Sequence, residues 1–163
     1  MKERLRLYLD TSVWSALSPA SDARMRRLTS QFLFRVAWRH RLLTSKLVFR
    51  ELDRIANVEI RRAIRRRVRD YRPRVVTGTS QVHRTADDLI QVGCLPERDI
   101  ADLYHIAYTI AAKADALVTW DMGDLARPRT RLIVGAYLRG LGRADIPIET
   151  PEGVARWLGV KIR

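Results

Sequence analysis

Apolar and polar positions along the chain fall into two alternating patterns. Short apolar runs occur at 5–9, 42–44, 73–76, 116–120 and 146–148, and each reads as a buried strand. Between them, apolar residues recur every third or fourth position, which is the spacing of an amphipathic helix. Thr11 or Ser12 can cap a short helix that reaches Leu17, and Ser18-Pro19 ends it. Ser21 or Asp22 then caps a long helix to about His40, with Met25, Leu28, Phe32 and Val36 along one face. Further helices are expected at 45–55 (capped by Ser45), 59–71, 80–92, 97–114, 130–141 and 151–158. Strand–helix alternation of this kind predicts an α/β fold: a three-layer α/β/α sandwich around a parallel central sheet. No internal repeat, low-complexity tract or linker interrupts it. A chain of 163 residues without a break reads as a single domain, 1–163.

Composition narrows the picture. Hydrophobic residues make up 47% of the chain, enough for a core, yet no apolar run reaches the ~18 residues of a membrane helix. The run 5–9 is too short, and too soon followed by an acid, for a signal peptide. With one cysteine, Cys94, no intramolecular disulfide is possible. A cytoplasmic protein with no membrane association is expected. The net charge is +13, carried almost wholly by arginine. Arginine grips phosphate in two-pronged fashion, so a polyanionic partner is expected. The plainer alternative is arginine as a default surface residue. The charge is locally concentrated, however: eight arginines lie between Arg61 and Arg74, on a helix whose apolar stripe is Ile60, Ala63, Ile64 and Val68. RNA guidance and a merely solvated basic face both fit that helix. Arg50, Arg54, Arg61, Arg65, Arg127 and Arg129 are the candidate phosphate contacts.

Against this basic background, four acids stand out. Asp10 follows the first strand, and Asp121 follows the fourth. Sites in parallel sheets form outside the carboxyl ends of strands. Glu51 and Asp102 occupy the early part of helices that would start or run near the same edge. Each acid alone reads most simply as a helix cap, turn residue or solvated helix residue. Together, four converging carboxylates would repel one another unless a divalent cation such as Mg²⁺ (or Mn²⁺) joined them. The three histidines and one cysteine are too scattered for a zinc site. His105 sits between Tyr104 and Ile106, a position that favours packing over general-base work.

The stretches Leu9-Asp10-Thr11-Ser12-Val13-Trp14, Val48-Phe49-Arg50-Glu51-Leu52, Asp102-Leu103-Tyr104-His105-Ile106-Ala107 and Leu117-Val118-Thr119-Trp120-Asp121-Met122-Gly123-Asp124-Leu125 together resemble the PIN-domain family. Within it they are similar to the VapC-type ribonuclease toxins of toxin–antitoxin pairs. Ile146-Pro147-Ile148-Glu149-Thr150-Pro151-Glu152-Gly153-Val154 resembles a common closing pattern there, so the likeness covers nearly the whole chain. The resemblance implies a metal-dependent endoribonuclease. Asp10, Glu51, Asp102 and Asp121 are its expected catalytic acids, with Asp10, Asp102, Asp121 and Asp124 as metal-holding acids. It also places Ser12 and Thr119 as polar residues supporting the site. Asp53 and Glu59 compete for the role of Glu51, and Asp99 for that of Asp102, although only Asp102 has the spacing to His105. The resemblance further implies an RNA substrate, a homodimer and a small antitoxin that covers the acidic groove. Two other readings of the same residues stay open: a non-catalytic RNA-binding protein whose acids cap helices, and a PIN nuclease of RNA processing with no antitoxin.

Overall fold

The structure is a computed structural model that describes residues 4–163. Five parallel strands form its sheet: β1 (Arg6–Leu9), β2 (Arg41–Ser45), β3 (Arg74–Val76), β4 (Ala116–Val118) and β5 (Ile148–Glu149), in the spatial order β3-β2-β1-β4-β5. The register sets Leu7 beside Leu42 and Ala116, and sets Tyr8 beside Leu43 and Leu117. Successive side chains point to opposite faces of a strand. These two neighbouring rows therefore seed two separate cores.

The row of Leu7, Leu9, Leu42, Ala116 and Val118 packs against α1 (Thr11–Ser15), α2 (Ala23–Arg35), α3 (Lys46–Leu52), α4 (Val58–Tyr71) and α8 (Pro151–Trp157). The row of Tyr8, Leu43, Leu117 and Ile148 packs against α5 (Ser80–Gln91), α6 (Ile100–Ala111) and α7 (Pro128–Gly140). Helices thus cover both faces of the sheet, giving the expected α/β/α sandwich. Among the described residues, no helix is long and apolar enough to cross a membrane.

Several boundaries shift from the sequence expectation, for local reasons. The long helix ends at Arg35, and the chain continues as a 3₁₀ turn over Ala37–Arg39. His40 must be extended to feed β2, so the last turn tightens and leaves Trp38 60% exposed. The expected helix 97–114 begins as a 3₁₀ turn over Glu97–Asp99 and becomes α-helical at Ile100. The cap of α1 is Asp10, which accepts from Val13 N, rather than Thr11 or Ser12. Ser45 makes no capping bond at all, because its hydroxyl is committed to Tyr8. Asp22, by contrast, caps α2 by accepting from Met25 N.

The sheet runs outward from β1 to β2 and β3, then resumes on the other side of β1 with β4 and β5. Such a reversal opens a crevice at the carboxyl ends of the two central strands. The residues that follow β1 and β4 are Asp10 and the stretch Thr119-Trp120-Asp121.

Candidate active site

The first acid is buried. Asp10 is 3% exposed, and its carboxylate is met on several sides. Ser12 Oγ donates to Oδ1 at 2.6 Å, Val13 N donates to Oδ1 at 3.2 Å, and Thr119 Oγ1 donates to Oδ2 at 2.6 Å. Burial raises the Asp10 pKa, while the positive charge of His105 and these three donors hold it back. The two hydroxyls also tie down the neighbouring loop. Trp120 N donates to Ser12 Oγ at 2.8 Å, and Asp121 N donates to Thr119 Oγ1 at 2.9 Å. Ser12 and Thr119 therefore stand between the Asp10 carboxylate and the backbone that carries Asp121.

That loop turns on Asp121. Its Oδ1 accepts from Gly123 N and Asp124 N, each at 2.9 Å. A side chain capturing the amides two and three residues ahead closes an Asx-type turn. The turn brings Asp124 to the N-terminus of α6. There, oxygens of Asp99, Asp102 and Asp124 all lie within 4.8 Å of one another. Asp99 Oδ2 is buried and has no hydrogen-bond partner; Arg98 Nε, at 3.6 Å, is too far to supply one. Asp102 is pushed up to about 7 by burial and by the negative charges of Asp121, Asp10 and Asp124, with His105 pulling the other way. A carboxylate so placed holds its proton near neutrality unless positive charge arrives. Oxygen-only donors with one atom left unpartnered suit a hard divalent cation such as Mg²⁺ or Mn²⁺.

Glu51 enters from α3. Its Oε2 accepts from His105 Nε2 at 2.9 Å and from Thr11 Oγ1. The other His105 nitrogen, Nδ1, lies 3.0 Å from Tyr8 Oη, which is 2.8 Å from Ser45 Oγ. For Glu51, burial is outweighed by His105, Thr11 and Arg54, and its pKa is lowered. For His105, burial is outweighed by the Glu51 hydrogen bond and by the charges of Asp10, Glu51 and Asp102, and its pKa is raised. Both shifts favour the charged forms of the pair, Glu51 as carboxylate and His105 as imidazolium. Both imidazole nitrogens then donate, Nε2 to Glu51 and Nδ1 to Tyr8, whose hydroxyl donates to Ser45.

The structure thus gathers Asp10, Glu51, Asp102, Asp121 and Asp124, with Ser12 and Thr119, around the β1–β4 crevice. It also brings in Asp99, which is not a rival of Asp102 but its neighbour in the same oxygen cluster. His105, read from sequence as packing, is buried yet hydrogen-bonded to a site acid. Both share a signal: Asp99, Asp102 and His105 recur every third residue and so line one face at the start of α6. The competitors of Glu51 lie elsewhere, Asp53 paired with Arg65 and Glu59 with Arg62.

The candidate phosphate-binding arginines divide into two groups. Arg50 and Arg54 are exposed on and after α3, close enough that Arg54 lowers Glu51. Arg127 Nη1 lies 3.8 Å from Asp124, and Arg129 donates to the Gly93 carbonyl. Arg61 instead braces the α3–α4 connection by donating to the carbonyls of Asp53 and Ile55. Arg65 pairs with Asp53 and stacks over Phe49 at 5.6 Å.

A family model described as the PIN domain matches residues 7–128. No curated protein matches the sequence. The fold is similar to that of Mycobacterium tuberculosis VapC20, a sarcin-ricin loop cleaving toxin (TM-score 0.58, 22% identity, 74% of this chain and 92% of that one). It is also similar to VapBC-1 from nontypeable Haemophilus influenzae (TM-score 0.57, 17% identity, 90% and 98%). A third similar structure is VapBC2 from Rickettsia felis bound to a DNA fragment from its promoter (TM-score 0.56, 16% identity, 77% and 95%).

Proposed function

The chain belongs to the PIN-domain family, and from that premise we propose that it is a metal-dependent endoribonuclease of the VapC type, held in check by a cognate antitoxin. The observation that carries this reading is the meeting of Asp99, Asp102 and Asp124 oxygens within 4.8 Å, near enough to Asp121 and buried Asp10 that both raise Asp102. Helix caps do not need to converge, and three carboxylates this close repel one another unless a cation joins them or one of them holds a proton.

Asp99, Asp102 and Asp124 would hold the cation, with Asp10 and Asp121 completing its negative surroundings. When bound, Mg²⁺ or Mn²⁺ supplies a water of lowered pKa and neutralises charge that builds on the phosphate. The protein's own residues do the remaining work. Ser12 and Thr119 orient the Asp10 carboxylate and favour its charged form against the burial that raises its pKa. The Asp121 turn fixes Asp124. His105 holds Glu51 anionic and in place, where it can accept a proton from the attacking water. Arg54, Arg50 and Arg127 flank the crevice and would take the phosphates on either side of the bond that breaks. The ribose 3′-oxygen would leave, as the family implies. The similar VapBC structures support an antitoxin as partner of this chain, and the family supports a homodimer in the cytoplasm.

The test is cleavage of a structured RNA pool by the full chain, with and without Mg²⁺ or Mn²⁺, beside Asp10→Asn and Asp102→Asn. Cutting that requires the cation and falls by at least about a hundredfold in both variants is expected. Cutting that survives both substitutions, or that persists in chelator, would remove the acidic crevice from the mechanism.

A further inference from the structure

The end of the sheet opposite the acids carries a second, unassigned surface. Arg6 and Asp10 bracket β1, a strand of four residues, so the two ends lie about 13 Å apart or more. At the amino ends of β1, β2 and β3, a groove of about 620 Å³ is lined by Arg6, Arg41, Arg72 and Arg74, with Asp70 as its one acid. A second groove of about 590 Å³ is lined by Phe34, Arg35 and Arg39. Trp38 and Tyr71 line both, so the two are continuous.

Three features separate this surface from ordinary basic exposure. First, Phe34 is 75% exposed and Trp38 60% exposed, and the Arg39 guanidinium sits 5.1 Å from the Trp38 ring centroid. Whatever turn of the chain exposes them, large aromatic side chains in water at the rim of a groove make a recognition surface. Second, Arg35, Arg39, Arg41, Arg72 and Arg74 are exposed and form no ion pair among the described residues. Their field is felt nearby: His40 is pushed down by burial and by Arg39 and Arg4. Third, Arg72 caps α4 with φ +48°, ψ +50°. Helices place glycine at that left-handed position, because a side chain there costs free energy. An arginine held there against its backbone preference keeps a guanidinium on the groove.

We propose that this groove binds single-stranded RNA, with bases stacked on Trp38 and Phe34 and phosphates on Arg41, Arg72 and Arg74. Aromatic platforms interleaved with free arginines are how proteins hold an unpaired strand without reading its sequence. A second copy of the chain is a poor occupant. A two-fold contact lays a patch on itself, and here that would press the same unpaired arginines together. The inference rests on RNA being the substrate, and it assigns a stretch of that substrate remote from the cut.

The experiment measures binding of a labelled single-stranded RNA to the full chain in the Asp10→Asn background without metal. The RNA is longer than the ~4–16 nucleotides of one single-strand site. Trp38→Ala is expected to weaken binding by roughly tenfold. Arg72→Gly is expected to reduce the salt slope by about 0.7, the value for one lost phosphate contact on a single strand. Arg72→Gly relieves the backbone, so weaker binding there cannot come from unfolding. Separately, in the chain with native Asp10 and with cation, both variants should cut a very short RNA at the unaltered rate. RNA affinity unchanged in both variants overturns the proposal, whether or not they alter self-association. Displacement of the RNA by an acidic peptide, with Trp38→Ala neutral, also overturns it and makes the groove a protein site. Failure of the nuclease reading shows up independently: no cation-dependent cutting by the native chain, with the groove still binding RNA.

Discussion

At the scale of single residues, the site is organised by which carboxylates can afford to be charged. Asp102 has a folded-state pKa of about 7, above the ~3.9 of an unfolded aspartate. Proton binding therefore favours the fold. That stability is fully present below about pH 4 and is lost as pH rises through about 7. In chelator, the melting temperature should fall between about pH 5 and pH 8, and fall less in Asp102→Asn. Equal slopes in the two proteins would mean that Asp102 does not titrate as the geometry requires. Since His105 is also raised, its contribution has the same sign and stays in both proteins. By the same linkage, divalent cation should bind more tightly as pH rises through about 7, releasing a proton; calorimetry in buffers of different ionisation enthalpy measures it. A second residue-level expectation concerns His105. Its Asn variant should fold less stably, since Tyr8 and Glu51 each lose a buried partner, at a cost of about 1–3 kcal/mol.

At the scale of elements, α4 offers two opposed tests at its two ends. Asn57 caps it by accepting from Ile60 N at 3.0 Å. Asn57→Ala should cost about 1 kcal/mol, or roughly 2–4 °C in Tm for a chain of this size. Arg72→Gly should act the other way, raising Tm by about 1–3 °C as the left-handed strain is relieved. Most elements were legible in sequence because their periodicity is strong: apolar rows at 5–9 and 116–120 had to hold strands, and α5 to α7 carry helical spacing. What was not legible is the tertiary context at their ends. Nothing in the run from Ala23 to His40 shows that His40 must already be extended for β2, which breaks the helix at Arg35 and bares Trp38. The acids after β1 and β4 could be read from strand polarity alone. Asp99 could be read as a competitor of Asp102 but not as its companion, because its part in the cluster depends on a 3₁₀ start to α6 and on an Asp121-centred turn that delivers Asp124. Tyr8 and Ser45 were hidden for a similar reason. Tyr8 looks like strand filling and Ser45 like a helix cap until the fold sets the Tyr8 hydroxyl between Ser45 Oγ and His105 Nδ1.

At the scale of the whole molecule, a net charge of +13 works against compactness as well as for binding. Raising monovalent salt from about 0.05 M to about 0.5 M should therefore increase the melting temperature of the free chain, since the Debye length falls below the spacing of most surface arginines. The same change should weaken RNA binding steeply. A protein whose melting temperature drops with salt would instead owe its stability to ion pairs such as Arg6–Asp115 and Arg131–Glu149. The charge is also unevenly distributed. Carboxylates gather at one end of the five strands, and unpaired arginines at the other. The chain is in effect a bar magnet for polyanions, more attractive at one pole than at the other. An incoming strand feels a torque before it feels a contact, and turns the arginine pole toward itself. Divalent cation offsets part of the negative charge of the far pole. The cation should thus alter how RNA arrives as well as what happens to it, and stopped-flow association with a non-cleaving variant would record the two effects apart.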